Sequence, residues 1–274
     1  MTKKNKGGGI QAVESYGMPG QGKSVKISII TSILIICAWW LVTSLGWIKP
    51  LFLPSPGEII GKFNSIMSEE FSGGTLIEHF SISFYRIAVS FLLASLLAIP
   101  IGLLMGINRF ARGIFDPPIE FYRPIPPLAY LPLTIIWLGI DDTQKIAVIF
   151  LAMFAPLVLS TRAGVKSCTI EQVHVAYSCG ASKFQVVTQI ILKAAIPEIL
   201  TGMRIAIGFG WTTLVAAEMV AAEQGLGHMI LSASEFLVTS VVVLGMIIIG
   251  TVAYLFDLFM RYLEKVLVPW KGKV

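Results

Sequence analysis

Long apolar runs broken by short polar stretches organise this chain. Residues 27–48 form an uncharged run of 22 residues, enough for a helix to cross a bilayer core, which needs about 20. A break at Leu53-Pro-Ser-Pro56 follows, then a short amphipathic helix expected over 57–67. A second span is predicted over 87–108 and extended backwards through 78–86, with Pro100 removing one helical hydrogen bond and kinking it. The third, 116–137, carries six prolines between Asp116 and Leu133. Broken helix at membrane depth survives only where it is buried in protein or lines a wet cavity. Residues 146–161, 197–217 and 236–256 supply the fourth, fifth and sixth spans, so the fold class expected is all-α with six transmembrane helices. The first run lacks a small-residue cleavage site after it and is expected to be a retained span.

Residues 166–204 are the longest segment of mixed polarity. Thr169 and Gln172 have the spacing of a capping box, and Ile170, Val173 and Tyr177 then fall on one helical face. Gly180 is suited to stop that helix, because it takes positive φ without steric cost. Ser182 and Gln185 form a second box, with Phe184, Val187 and Ile191 as the next apolar stripe. Pro197 suits the first turn of a third, long helix, with Glu198 against the positive end of its dipole. Two short capped helices between spans are a shape made for docking.

Composition agrees with a membrane protein. The chain is 274 residues long and only 14% charged, with a mean hydropathy of +0.79, where a soluble domain carries about a quarter charged residues. The domain reading is a polar tail over 1–26 expected to be disordered, a transmembrane domain over 27–266 with its docking loop at 166–196, and a tail over 267–274. Fifteen of the 21 Lys and Arg lie on one side of the predicted topology. They are five in the N-terminal tail, Arg109 and Arg112, four from Arg162 to Lys193, and four from Arg261 onward. Lys49, Lys62 and Lys145 lie on the other side, and Arg86, Arg123 and Arg204 are unassigned. The positive-inside rule then puts both termini and the docking loop in the cytoplasm. The net charge of +5 flanks apolar runs and forms no aromatic–basic groove, so nucleic acid is not an expected partner. Cys37, Cys168 and Cys179 show neither a disulfide framework nor a zinc pattern, and no metal site is expected. Gly17 to Ser24 matches GxxxxGK[ST], but it lacks the strand before and the soluble helix after that a phosphate loop needs. It reads as coincidence.

The docking loop resembles the "EAA" loop of permease subunits of ABC-type importers. Val175, Ala176, Gly180, Ala181, Ile190, Leu192 and Pro197 carry the resemblance, with His174 where the motif has glutamate and Lys193 where a proline is common. Two further segments, 122–140 and 210–227, are similar to the nitrate/sulfonate/bicarbonate branch of that family. Within the branch, residues 47–270 most resemble the membrane subunits of bacterial taurine importers. The resemblance implies a type I (MetI-like) importer permease fold in the bacterial cytoplasmic (inner) membrane. It also implies a homodimer, two ATPase subunits beneath that hold ATP and magnesium (no cofactor on this chain), and a soluble substrate-binding protein outside. The cargo implied is taurine or a related sulfonate, with alkanesulfonate, nitrate, bicarbonate or a vitamin precursor as alternatives. The permease is then a transport subunit and not an enzyme. His174, Val175, Ala176, Tyr177, Ser178, Gly180, Ala181, Ser182 and Lys183 are the expected ATPase-coupling residues.

Candidate path residues each have two readings. Arg123 either attracts a sulfonate or is an interfacial arginine, and Arg204 either faces the bundle interior or snorkels. Glu218 either meets the ammonium of a zwitterion or is solvated in an outer loop. Tyr122, Tyr130 and Trp211 either line the passage or pack between helices. His174 either senses pH at the ATPase contact or sits solvated on its helix. The runs hold no paired carboxylates, His-rich set or Ser–His–Asp grouping for a membrane enzyme, and a passive channel would need no docking loop.

Overall fold

A computed structural model describes residues 25–269, and the 1–26 tail, the Gly17–Ser24 string and residues 270–274 lie wholly or largely outside that range. The regular elements among the described residues are all helices, and these residues divide into a unit ending at Trp47 and a unit beginning at Ile48. The first unit holds α1 (Val25–Ser44), an uncharged helix after Lys26 in which Ser32 and Thr43 donate their hydroxyls to carbonyls one turn back. Such back-bonding hides polar groups that lipid could not satisfy.

The second unit begins with α2 (Pro56–Ser68) and α3 (Leu76–Ile107), each started by a capping box, Ser55/Glu58 and Thr75/Glu78 respectively. Pro100 lies inside α3, as predicted. After the Asn108 cap come α4 (Arg109–Tyr122), α5 (Pro127–Leu138) and α6 (Asp142–Val165). The third predicted span is therefore two helices. Arg123 is still helical, and the backbone leaves helix at Pro126 (ψ 136°), the residue before Pro127, which then opens α5 at its first position. With 12 residues, α5 is shorter than a bilayer core requires. Among the described residues, four helices are long and apolar enough to cross a membrane, and the run ending at Ala221 makes a fifth together with a following helix bent from it by 55°.

Past α6, α7 (Ile170–Ser178) leads through a turn at Gly180 into α8 (Lys183–Gln185), a π-helical turn (Val186–Ile191) and α9 (Leu192–Ala221), all without a break. The expectation that Pro197 opens a new helix is thus corrected, since it lies inside α9. Ala194, Ala195 and Ile196 offer no capping side chain, whereas Ser182 already caps the whole run. The stripe expected at Phe184, Val187 and Ile191 holds in part: Val187 and Ile191 are half-buried, but Phe184 is exposed and Val186, which opens the wide turn, is buried in its place. The chain closes with α10 (Leu226–Glu235) and α11 (Thr239–Leu267).

At the centre, α6 packs between α3 and α9 around Ala94, Ala98, Met153, Leu157, Val158, Ala206 and Leu214. Lipid is as apolar as leucine, so helices associate there through close packing and polar contacts. Close packing is what the sequence supplies. A Cβ on Gly102 would stand 2.6 Å from Thr161 Cβ and 2.7 Å from the Val158 carbonyl oxygen, and one on Gly202 would stand 2.4 Å from Ser160 Cβ. A Cβ on Gly210 would meet only the far end of Met153, whose Cε can swing away. Gly102→Ala should therefore cost about 1–3 kcal/mol by overpacking, and Gly210→Ala distinctly less. Thermal unfolding of the two variants in detergent measures the difference, and equal melting temperatures would refute it.

Candidate functional site

Three features lie along the bundle. The first is at the end where α6 stops and α9 begins. Both capping boxes form: Thr169 Oγ1 accepts from the Gln172 amide at 3.4 Å and Ser182 Oγ from the Gln185 amide at 3.3 Å, with each glutamine returning a bond to the cap backbone. Gly180 has φ of +81°. The Ala181 amide donates to the Ala176 carbonyl and the Gly180 amide to that of Tyr177, the paired bonds of a Schellman ending. The turn is therefore fixed at both sides. Nothing on α7 is buried. Ile170, Val175, Tyr177 and Phe184 are exposed, while Val173 and Ala176 are half-buried. His174, Ser178, Ser182 and Lys183 are exposed and Ala181 is half-buried, so all nine predicted docking residues share this projection. At its base, burial pushes the Cys168 thiol upward, away from the reactive thiolate.

The second feature is a cavity of about 390 Å³ at the bend between α4 and α5, lined among others by Tyr122, Arg123, Tyr130, Ser160, Ile205 and Phe209. Prolines 124, 126 and 127 line it too, so the broken backbone lies where it borders open space. The Arg123 side chain is half exposed and held loosely by Glu120 at 3.5 Å. Below it, Arg162 pairs with Asp116 and approaches Glu120 at 3.8 Å, fixing α4 against α6. A mostly apolar hollow with one guanidinium and two phenols can hold a small anion without gripping it. Tyr122, Arg123 and Tyr130 are thus brought together. Trp211 and Glu218 are not, since neither reaches this cavity. Trp211 is buried in the α3–α6–α9 core, and Glu218 belongs to the third feature.

That feature stands at the opposite end of the bundle, where α3 and α6 begin and α9 ends. Glu218 is fully buried. Its carboxylate accepts from Arg86 Nη1 at 2.7 Å, from Ser83 Oγ at 2.8 Å and from the Gly227 amide at 2.8 Å. Arg86 also donates to Asp142 through Nε and Nη2, and to the Gln224 carbonyl. Ser83 Oγ accepts from the Leu226 amide, and His79 Nδ1 accepts from the Gly225 amide while its Nε2–H donates to the Phe71 carbonyl. The loop can wrap the carboxylate because it is glycine. A Cβ on Gly225, at φ +131°, would come within 2.4 Å of Glu218 Cδ. The reading of Glu218 as open to cargo or solvent is therefore corrected: it is consumed by a closed network joining α3, α6, α9 and α10. Sequence reasoning named Glu218 but left Arg86 unassigned, although a lone arginine in the backward extension of an apolar run was the available signal. Arg204 also faces a partner, Asp257 of α11 at 2.7 Å, with Glu264 at 3.7 Å.

Residues 98–268 match the family model described as binding-protein-dependent transport system inner membrane component. The chain is 48% identical over 253 residues to the taurine transport system permease protein TauC of Escherichia coli K12, covering 92% of each. It is 35% identical to the putative aliphatic sulfonates transport permease protein SsuC of Bacillus subtilis 168, covering 87% of this chain and 85% of that one. It is 31% identical to the nitrate import permease protein NrtB of a Synechocystis strain, covering 92% of each. Among solved structures, an inward-facing form of the MetNI methionine ABC transporter superposes with a TM-score of 0.52 at 17% identity. It covers 66% of this chain and 92% of that one, a likeness of fold.

Removing one member of a buried pair strands the other charge, at a cost of about 3–5 kcal/mol. Arg86→Met should lower stability by that much, and adding Glu218→Gln to it should restore most of the loss. Melting temperatures of the single and double variants test this, and additive losses would contradict it.

Proposed function

The chain belongs to the family of binding-protein-dependent transport system inner membrane components, and on that premise we propose that it carries taurine inward. It is an ABC importer permease of type I fold, with ATP hydrolysed by a separate subunit. The observation that carries the cargo is the level of identity, nearly half of all positions with a taurine permease against about a third with sulfonate and nitrate permeases.

The working unit in this reading is two copies of the chain, two ATPase subunits on the cytoplasmic side and a soluble binding protein on the other. Both termini are cytoplasmic in this reading, which agrees with Arg109, Arg162, Lys166 and Lys183 lying at the ends of α3 and α6 and on the α7 projection, and with the basic residues of the two tails in the sequence. The capped projection from His174 to Lys183 is the ATPase contact, and its support is physical. Exposed apolar side chains on a helix pinned at both ends form a surface that needs a partner and can transmit a push. Tyr122, Arg123 and Tyr130 belong to the passage. Arg123 supplies a mobile cation that meets a sulfonate in transit, since guanidinium matches oxyanion geometry. Alternating access follows if the projection fits the ATPase differently in its nucleotide-bound and free states, because only differential affinity shifts a conformational equilibrium.

Reconstitution with the ATPase and binding protein should give ATP-dependent taurine uptake into vesicles, with ethanesulfonate and nitrate competing weakly. Absence of taurine uptake by an assembled, ATP-hydrolysing complex would reject the cargo. Val175→Asp, on an exposed α7 position, should cut ATPase co-purification at least tenfold with the melting temperature of the permease unchanged. Retained ATPase would reject the docking role. Cys179, exposed in the turn, should react with an impermeant maleimide only from the cytoplasmic side.

A further inference from the structure

Above the Arg86–Glu218 network lies a second hollow, about 680 Å³, lined by Arg86, Asp141, Asp142, Lys145, Glu223 and Gln224 among others. It differs in character from the proline-bordered cavity, because ionisable groups of both signs surround it. Most are accounted for. Arg86 is neutralised by Glu218 on one side and Asp142 on the other. Lys145 is the exception. Its side chain is buried, at 3% exposure, yet its ammonium donates to one acceptor only, the Ile140 carbonyl at 2.7 Å, and no carboxylate stands within 4 Å of it among the described residues. An ammonium carries three donors, so two are left without a protein acceptor on a side chain that lines the hollow. A buried cation with no directly paired carboxylate is costly, and the structure keeps this one.

The carboxylates are placed differently. Asp141 and Glu223 are exposed at the rim, and neither makes an ion pair among the described residues. Asp141 precedes α6 without capping it through its side chain, so the positive end of that 24-residue helix also faces this region. Charge around the hollow thus differs in exposure: the Lys145 ammonium is buried, and the Asp141 and Glu223 carboxylates are exposed. α6 runs from here to the projecting α7, so the hollow is roughly 36 Å from the docking end. In the topology proposed above it opens on the side from which the binding protein releases cargo.

We infer that this hollow is an entry seat for a small zwitterion with an anionic head and an ammonium tail. The head takes the two vacant donors of Lys145, and the tail is held by Asp141 and Glu223. The inference rests on the taurine reading for the identity of the cargo, and on the hollow itself for where cargo first sits. A simple anion would gain the Lys145 contact but meet the rim carboxylates unfavourably, so the seat selects against it. It also leaves the Arg86–Glu218 network undisturbed, since no member of that pair has to open.

The test uses the full complex in vesicles, with Cys37, Cys168 and Cys179 changed to serine and Ile140→Cys as a reporter on the wall. The rate of labelling by an uncharged maleimide is measured with taurine, ethanesulfonate or nitrate present. Taurine at millimolar concentration should slow labelling at least fivefold. Lys145→Met should abolish that protection and lower uptake at least tenfold, while ATPase stimulation by the loaded binding protein stays within twofold. Asp141→Asn with Glu223→Gln should weaken protection by taurine and strengthen that by ethanesulfonate. Taurine uptake with an unprotected reporter would overturn the seat alone. A complex that imports no taurine, with labelling slowed by ethanesulfonate, would overturn the taurine reading and the preference for a zwitterion while keeping the anion contact. Uptake and ATPase stimulation falling together in Lys145→Met would make the lysine structural and overturn its role in binding.

Discussion

The architecture depends on how closely α6 can approach α3 and α9. In water, burial of apolar surface would hold these helices together, but between lipid chains that force is absent and what remains is contact density and polar pairing. Gly102 and Gly202 remove the side chains that would otherwise hold the backbones apart, and Ala94, Ala98 and Ala206 keep the seams narrow. Once the helices are this close, Arg86 can reach both the start of α6 and the end of α9. Packing therefore comes first, and the ion network is its consequence as well as its fastener.

The three sites are tied by the same helices. From the cap at Ser182 to the buried Glu218 the chain is one unbroken helical run, roughly 50 Å long and longer than the ~30 Å hydrocarbon core. α6 runs beside it in the opposite direction. A displacement of the docking projection cannot be absorbed by a loop on the way, because there is none between Lys183 and Ala221. The soft places are elsewhere: the 123–126 bend beside the cavity and the 222–225 corner around the carboxylate.

Much of this was legible in the residues. Thr169 with Gln172 and Ser182 with Gln185 marked two helix starts, and Gly180 marked the stop between them, because capping is local chemistry that a few adjacent residues decide. The family and fold were legible for the same reason, through short segments that keep their order. What could not be read were relations across distance. Glu218 looked like an outer-end carboxylate until Arg86, 132 positions away, closed on it. Trp211 had two readings, lining the passage or packing between helices, and it lies in the core shared by α3, α6 and α9. The split of the 116–137 span was hinted at by its prolines, but where α5 restarts depends on which side of Pro126 and Pro127 the backbone can recover.

The wide turn at Val186–Ile191 has a consequence of its own. Each bond there skips one more residue than in ordinary helix, so the turn stores a single surplus position, worth about 100° of rotation around the axis. Which way the projecting end points relative to the rest of α9 is therefore decided by a count of residues and not by any side chain. Relatives that gained or lost one residue in this turn would aim the same surface at a different azimuth, and so suit a differently shaped motor, with no change at either end.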